Sequence, residues 1–380
     1  MRKKELTMFS KLEKFLDSFI EMGVPGYDIS VYHKGREVYR HQNGVTSLKN
    51  KTPMTAHEFY NVYSCSKTIT VTAAMILIER GLLSLDDKLS KYLPEFEKMT
   101  VKCEGGVREA KEAITIKQLF TMTAGFNYNL NAPSLIKCRE ETNGRCQTRE
   151  AMKYLALEPL DFEPGKYYQY SLCHDVLAAV VEVVAGVTFG EFVKKNIFDV
   201  AGMTETTYLP SPELIEKISG QFRYNAQTRE MVEIGKDASY RIGSEYESGG
   251  AGIVSTVDDY IKFLEALRTG KLLSQESITE MTKDQLTPEQ SSTRNDPNYG
   301  YGLGLRAPIG EGVTDFGWGG AAGAYIAIDR EREISIFYAQ HVLMSPNGAM
   351  RYKIAGLVKE CLGYTSSSTP EVCYPCATLA

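Results

Sequence analysis

The sequence lacks long apolar runs and clusters of like charge. No stretch of this 380-residue chain reaches the roughly 18 to 20 apolar residues that a membrane-spanning helix needs. The formal net charge is -5, and lysines and arginines are scattered along the chain, which is not typical of a surface for nucleic acid or an anionic membrane. We therefore expect no membrane span and no nucleic-acid partner.

Several catalytic signatures are also missing. No Gly-x-Ser-x-Gly sequence occurs, so an α/β-hydrolase triad has no nucleophile elbow. None of the five histidines belongs to a His-Glu-x-x-His pair or to another zinc spacing. No glycine-rich phosphate loop follows a strand of a βαβ unit. The sequence therefore predicts neither a metal nor a cofactor.

The cysteines and the N-terminal segment indicate the compartment. Phe9, Leu12 and Phe15 recur at helical spacing with charges between them, which predicts an amphipathic helix and not a signal peptide. We therefore expect a cytoplasmic protein whose eight cysteines are free thiols. Cys373 and Cys376 have the spacing of a redox or zinc pair, but no second pair matches them, so we expect an unpaired polar tail.

The most informative stretch is Ser64-Cys65-Ser66-Lys67 with the apolar run Ile69 to Ile78 behind it. A serine and a lysine three residues apart lie on one face of a helix, so their side chains can touch. A helix that is apolar almost all round is typically buried. The helix dipole would then favour negative charge at Ser64, and burial would lower the pKa of Lys67 enough for it to act as a base. A capping serine beside a solvated lysine is the alternative.

A second Ser-x-x-Lys sequence provides an internal comparison. Ser134 and Lys137 have the same spacing, but they follow Pro133 in a polar region without an apolar run behind them. We interpret this second match as a coincidence of spacing.

Strand patterns at both ends of the chain enclose a helical middle. Tyr27 to His33 and Glu37 to Gln42 alternate as in a β-hairpin, and strand signals return only late, at Tyr299 to Arg306, Gly312 to Gly317, Ala322 to Asp329 and Ile334 to His341. The pattern predicts an α/β (α+β) fold in which an antiparallel sheet from the N- and C-terminal segments is flanked by helices.

This pattern also divides the chain. We expect a discontinuous α/β sheet domain formed by residues 1–84 and 241–363. Residues 85–240 would form an inserted, mostly helical region, and residues 364–380 a flexible tail. A site would lie in the cleft between the two larger parts.

Four segments resemble, in this order, the landmarks of serine β-lactamase-related hydrolases: Leu119–Gly125, Gly165–Ser171, Gly249–Asp259 and Phe316–Ala321. That group includes class C β-lactamases, D-amino-acid and D-Ala-D-Ala peptidases and, closest in motif pattern, the family VIII carboxylesterases. The resemblance spans Tyr27 to Leu362 and implies a β-lactamase/transpeptidase-like fold. It also implies a reaction through an acyl-enzyme.

The resemblance assigns roles to individual residues. Ser64 becomes the nucleophile, Lys67 its partner, and Tyr170, which opens the family's Tyr-x-Asn motif, the second member of the base system. The charge of Lys67 would lower the pKa of Tyr170. Whether Lys67 or Tyr170 is the base stays open, because strongly interacting groups titrate as a pair. Trp318-Gly319-Gly320 would line the pocket, and the backbone N–H groups of Ser64 and Ala321 would form the oxyanion hole.

Two departures from the family pattern bear on the substrate. Leu172 stands where the motif has asparagine, and His174, one helical turn past Tyr170, faces either the cleft or the outside of the helix. Trp318 replaces a basic residue that would hold a substrate carboxylate. Both changes favour neutral or apolar acyl substrates over β-lactams.

The sequence thus predicts a serine hydrolase, most directly a carboxylesterase for small-molecule acyl substrates. Three alternatives keep the same site and act as a β-lactamase, a D-amino-acid peptidase or an acyltransferase. A fourth is a catalytically silent member of the fold that binds a ligand or a protein. The oligomeric state is left open.

Overall fold

The computed structural model describes residues 8–237, 240–294 and 296–364. The strands within these residues are β1 (Gly26–His33), β2 (Arg36–Gly44), β3 (Tyr60–Asn61), β4 (Thr100–Cys103), β5 (Gly106–Glu109), β6 (Gln221–Asn225), β7 (Glu230–Ile234), β8 (Val254–Ser255), β9 (Tyr299–Tyr301), β10 (Arg306–Pro308), β11 (Asp315–Gly319), β12 (Tyr325–Asp329), β13 (Ile334–Gln340) and β14 (Val342–Leu343). Seven of them form an antiparallel sheet in the order β2-β1-β13-β12-β11-β10-β9.

Helices pack on both faces of this sheet. In the sequence, most of them lie between the N-terminal strands of the sheet and its C-terminal strands. They are α1 (Ser10–Glu21), α2 (Ser66–Glu79), α3 (Ile116–Phe120), α4 (Pro133–Glu141), α5 (Thr148–Leu155), α6 (Cys173–Ala185), α7 (Phe189–Val193), α8 (Asp199–Ala201), α9 (Pro212–Lys217), α10 (Val257–Arg268), α11 (Gln275–Met281) and α12 (Ile354–Cys361). A π-helical turn, Lys194–Phe198, joins α7 to α8.

The sheet joins the two ends of the chain, as the sequence predicts. β1 pairs with β13 from Tyr27 opposite Gln340 to His33 opposite Ile334. Every residue of β13 is buried, because α1 and α12 cover one face of the sheet and α10 covers the other. The antiparallel sheet expected from the two ends of the chain, flanked by helices, is therefore confirmed.

Residues 85–240 contain more strand than the sequence suggests. β4 pairs with β5, and β6 pairs with β7, in two small hairpins. β5 is exposed along its whole length and β7 along most of it, so they lack the apolar alternation by which strands are recognised. The expectation that strands return only late in the chain is wrong in this respect.

The strand expected from Tyr299 to Arg306 is two strands, β9 and β10. Gly304 between them has φ of +84°, and a methyl group there would come within 2.2 Å of Val71 Cγ1. Glycine therefore permits both the left-handed backbone and the close packing of this turn against α2.

The prediction that all cysteines are free thiols is wrong for one pair. Cys138 in α4 and Cys146 just before α5 form a disulfide. The two residues are eight apart in sequence, and no sequence pattern marks them as partners. Cys65, Cys103, Cys173 and Cys361 are free, and Cys373 and Cys376 lie outside the described residues.

Within the described ranges, no single helix is long and apolar enough to cross a membrane. The segments Cys173–Ala185 and Phe189–Ala201, which meet at a bend of 77°, reach the length and apolar composition of a membrane span only when they are taken together.

Candidate active site

The start of α2 places Ser64 and Lys67 side by side. A short 3-10 turn, Tyr63–Cys65, leads into α2, in which every residue from Ser66 to Leu77 is buried. Tyr63 has φ of +47°, an uncommon value for a residue with a side chain. Ser64 keeps 9% of its surface exposed, whereas Lys67 is completely buried. The predicted burial of this helix is confirmed, and Ser64 and Lys67 lie at its start.

Ser64 lies between the polar ends of Lys67 and Tyr170. Lys67 Nζ is 3.3 Å from Ser64 Oγ, and the Tyr170 hydroxyl donates a hydrogen bond to the same oxygen. Lys67 also donates to the carbonyl oxygen of Gly250 at 2.7 Å and to the Tyr128 hydroxyl at 3.3 Å. The three residues expected from the sequence are therefore brought into contact.

Burial controls the protonation of Lys67. It lowers the pKa of this amine to about 7, against the opposing effect of the Asp175 carboxylate. The ammonium form loses solvation in the interior, while its polar contacts are two hydroxyl groups and one backbone carbonyl. Lys67 is thus partly an uncharged amine near neutral pH.

The expectation that Lys67 lowers the pKa of Tyr170 is wrong. Burial raises the pKa of this phenol well above its usual value, although hydrogen bonds with Ser64 and Trp318 oppose the effect. The ring lies between Tyr128 and Trp318, where a phenolate would be poorly solvated. Tyr170 therefore keeps its proton at neutral pH.

The end of β11 approaches the turn that carries Ser64. A methyl group on Gly320 would come within 2.5 Å of the Val62 carbonyl oxygen, so only glycine allows this approach. Tyr63 packs in one cluster with Ala321 and Ala322. An oxyanion donor must have its N–H free of other acceptors. Among the residues that the structure describes, no backbone carbonyl accepts from the N–H of Ser64 or of Ala321.

A row of four aromatic rings begins beside Lys67, whose amine lies over the rings of Tyr128 and Tyr170. Tyr128 stacks on Tyr170 with ring centroids 5.6 Å apart, and Tyr170 stacks on Trp318 at 5.9 Å. Trp318 meets Tyr301 edge to face at 5.3 Å. Gly319, the middle residue of Trp318-Gly319-Gly320, lies against Tyr352 and Arg351: a methyl group on Gly319 would be 2.8 Å from the Tyr352 hydroxyl.

Leu172 and His174 do not line the cleft. Leu172 caps the N-terminus of α6 and is 1% exposed, and His174 is fully buried. His174 Nε2 lies 3.3 Å from the Phe120 carbonyl oxygen, and burial lowers the pKa of His174 to about 3. Because α6 begins at Cys173, the turn that follows Tyr170 points these side chains into the core. The expectation that Leu172 and His174 belong to the substrate pocket is therefore wrong, and His174 faces neither the cleft nor the outside of the helix.

Sequence reasoning missed two contacts of Lys67. The Tyr128 hydroxyl is a polar partner of this lysine, although the motif asparagine is absent. Tyr128 follows Gly125, the last residue of the first landmark, by three residues, which is the signal that could have found it. Gly250 belongs to the landmark from Gly249 to Asp259, but its contribution is a backbone carbonyl, which no side-chain pattern reveals.

One group of described residues is close enough to hold a cation. Glu13, Asp17 and His41 lie near one another where α1 meets β2. Asp17 Oδ1 already accepts hydrogen bonds from Tyr27 and Asn43. The group belongs to the face of the sheet that α1 covers, so it takes no part in the chemistry at Ser64.

The fold and the residues around Ser64 are those of serine hydrolases with a β-lactamase fold. More specifically, the chain belongs to the beta-lactamase family, whose model matches residues 11–355. Esterase EstB of Burkholderia gladioli is 26% identical over 358 residues, which cover 87% of this chain and 89% of EstB. Lovastatin esterase of Penicillium rubens is 27% identical over 336 residues, which cover 79% of this chain and 84% of that enzyme.

A solved structure supports the same fold. The structure named "EstCE1, a hydrolase with promiscuous acyltransferase activity" is similar with a TM-score of 0.76 and 23% identity, and the match covers 94% of this chain and 99% of that chain. Together with the relatives above, this confirms the predicted family and the prediction of a serine hydrolase.

Proposed function

We propose that this protein is a carboxylesterase for small, neutral esters and that it works through an acyl-enzyme on Ser64. The observation that carries the proposal is the Ser64 hydroxyl held between a buried amine, Lys67, and a protonated phenol, Tyr170. This arrangement offers a proton acceptor and a proton donor to one nucleophile.

In the first step Ser64 Oγ attacks the ester carbonyl, and its proton passes to the Lys67 amine. The new Oγ–C bond produces an oxyanion that the N–H groups of Ser64 and Ala321 stabilise. The C–O bond to the alcohol then breaks, the Tyr170 hydroxyl gives its proton to the leaving oxygen, and the Lys67 ammonium restores the proton of Tyr170. A water molecule then repeats the sequence and releases the acid.

The walls of the cleft support neutral substrates. Trp318 takes the position where relatives of this fold carry a cation, and the partly exposed rings of Tyr170 and Tyr128 continue an aromatic surface, with the buried Tyr301 packed against Trp318. Such a surface binds apolar groups and provides no partner for a substrate carboxylate. The two relatives named as esterases favour the same class of substrate.

A covalent label tests whether Ser64 is the nucleophile. We expect a fluorophosphonate to add one adduct to the intact protein, with the label on Ser64, and we expect no adduct in Ser64→Ala. Absence of an adduct in the folded wild-type protein would contradict the enzyme proposal and favour a silent binding protein.

A substrate panel tests the proposed ester preference. The panel contains acyl esters of increasing chain length, a chromogenic cephalosporin and a D-alanyl peptide, each with and without a short alcohol as acceptor. We expect esters to be hydrolysed fastest. Faster turnover of the cephalosporin or the peptide would refute the ester preference, and an alkyl ester formed as the main product would identify an acyltransferase.

A further inference from the structure

A buried carboxylate lies behind the candidate base and has no role in the steps above. Asp175 is in the first turn of α6 and is fully buried. Its Oδ1 accepts hydrogen bonds from the Tyr246 hydroxyl at 3.0 Å and from the Ser248 hydroxyl at 2.6 Å. A buried carboxylate is costly unless it is hydrogen-bonded and its charge is balanced.

The loop from Ser248 to Ala251 links this carboxylate to Lys67. Ser248 Oγ, which donates to Asp175, accepts from the Ala251 N–H at 3.0 Å. Gly250, between these two residues, presents its carbonyl oxygen to Lys67 Nζ at 2.7 Å. Asp175 therefore contacts the loop that holds the strongest acceptor of the Lys67 amine.

The backbone of Gly250 is packed closely against Asp175, Tyr128 and Lys67. A methyl group on Gly250 would lie 2.4 Å from Asp175 Oδ2 and 2.8 Å from the Tyr128 hydroxyl. The backbone of Gly250 thus fills the space between the carboxylate and the lysine, and a side chain at this position would push them apart.

Charge supports a link between Asp175 and Lys67. The Asp175 carboxylate opposes the lowering of the Lys67 pKa, and Lys67 opposes the raising of the Asp175 pKa, although burial dominates both. The other titratable groups that face this pair are thiols, phenols and one neutral imidazole: Cys65, Cys173, Tyr128, Tyr170, Tyr208, Tyr246 and His174.

We infer that Asp175 is a positioning residue for the proposed reaction: it fixes the Gly250 carbonyl through Ser248, and its negative charge balances the Lys67 ammonium that forms when Ser64 attacks. This inference rests on the proposed function. A carboxylate that only braced the loop would affect folding and the rate, but not the pH at which Lys67 loses its proton.

The test is Asp175→Asn, which keeps the size of the side chain and its acceptor for Tyr246 and Ser248. Without the negative charge the Lys67 ammonium is less stable, so we expect the acidic limb of kcat/KM for a neutral ester to move to lower pH by roughly one unit. The plateau should fall, because the amine has become a weaker base. Asp259→Asn is the matched control, since Asp259 is also buried but accepts hydrogen bonds from the Glu205 backbone N–H and the Thr206 hydroxyl and pairs with Lys262; the acidic limb of this variant should stay at the wild-type pH.

The outcomes separate this inference from the proposed function. If the wild-type protein takes no fluorophosphonate label and hydrolyses no ester, the proposed function is wrong. If the wild type is active and takes the label, but Asp175→Asn shows an unchanged acidic limb, Asp175 only braces the loop and the inference is wrong. Should Asp175→Asn fail to fold, Tyr246→Phe removes one donor to the carboxylate; a displaced acidic limb supports the inference, and an unchanged one overturns it.

Discussion

The contact between Tyr128 and Lys67 gives the sharpest prediction about the site. Tyr128→Phe removes a hydroxyl that accepts from Lys67 Nζ at 3.3 Å and leaves the ring that stacks on Tyr170. In the reactive form, where the amine starts uncharged, the ammonium forms as Ser64 attacks the carbonyl, and the Tyr128 hydroxyl stabilises it. Loss of this hydroxyl should therefore lower kcat/KM with little change in KM, since the apolar wall that contacts the substrate stays in place.

The magnitude follows from the geometry of that hydrogen bond. A hydrogen bond to a charged group contributes about 1.5 to 3 kcal/mol, and 3.3 Å is long for such a bond, so the lower end applies. About 1.5 kcal/mol corresponds to roughly a tenfold change in rate. We therefore expect kcat/KM to fall about tenfold for the best ester of the panel.

The assay compares initial rates of ester hydrolysis by Tyr128→Phe, Tyr27→Phe and the wild type. Tyr27→Phe is the matched control, because it also removes a hydroxyl bonded at 2.8 Å, but to Asp17 on the opposite face of the sheet. Its kcat/KM should stay at the wild-type value. A change of less than about twofold in Tyr128→Phe would refute the assigned contact. Loss of all activity in folded protein would instead identify Tyr128 as a proton-transfer group.

Three further predictions concern pH, the oxyanion hole and stability. Because Lys67 must be unprotonated and its pKa is about 7, kcat/KM should fall about tenfold for each unit below that pH; a profile that stays flat to about pH 5 would contradict this assignment. Gly320→Ala places a methyl group 2.5 Å from the Val62 carbonyl oxygen and should displace the neighbouring Ala321 N–H, so we expect kcat to fall by about 100-fold. Gly348→Ala is the control: its methyl group would meet no atom within 4 Å, so kcat should stay unchanged. Asp315 is buried and bonded to Arg306 and Lys359, so Asp315→Asn should lower the free energy of unfolding in urea by about 3 kcal/mol. A loss no larger than that of the partly exposed control Glu245→Gln, which also removes a charge from an ion pair, would contradict this prediction. The pKa of Asp315 is lowered in the folded state, so the stabilisation from Asp315 is present above the unfolded pKa and is lost as pH falls through the folded pKa.

The sequence is sufficient for those parts of the site that depend on local spacing. Ser64 and Lys67 are neighbours because a helix brings residues three apart together, and the apolar run after them predicts burial of α2. The end-to-end sheet follows from alternating segments at both termini, as the pairing of Tyr27 with Gln340 shows. Tyr170 and Ala321 are distant in sequence, and only the order of the family landmarks identifies them.

The remaining features depend on contacts that no local pattern encodes. Leu172 and His174 follow Tyr170 closely, but the helix begins at Cys173 and directs them into the core. The acceptor of Lys67 on Gly250 is a carbonyl, so residue identity carries no signal for it. The direction of the Tyr170 pKa shift was predicted wrongly because the sequence shows a neighbouring lysine but not the loss of solvent around the phenol.

The opposite shifts of Lys67 and Tyr170 have one cause and give the two residues different tasks. Burial disfavours charge, so it lowers the pKa of the amine and raises that of the phenol. Ser64 Oγ therefore lies between a group that can accept a proton at neutral pH and a group that can donate one. When the Lys67 amine starts uncharged, charge on the reacting groups appears as Ser64 attacks, as an ammonium on Lys67 and an oxyanion at the backbone N–H groups. Since an enzyme accelerates a reaction by stabilising the transition state more than the ground state, we propose from this division of tasks that Lys67 is the base of acylation and Tyr170 the acid that protonates the departing alcohol.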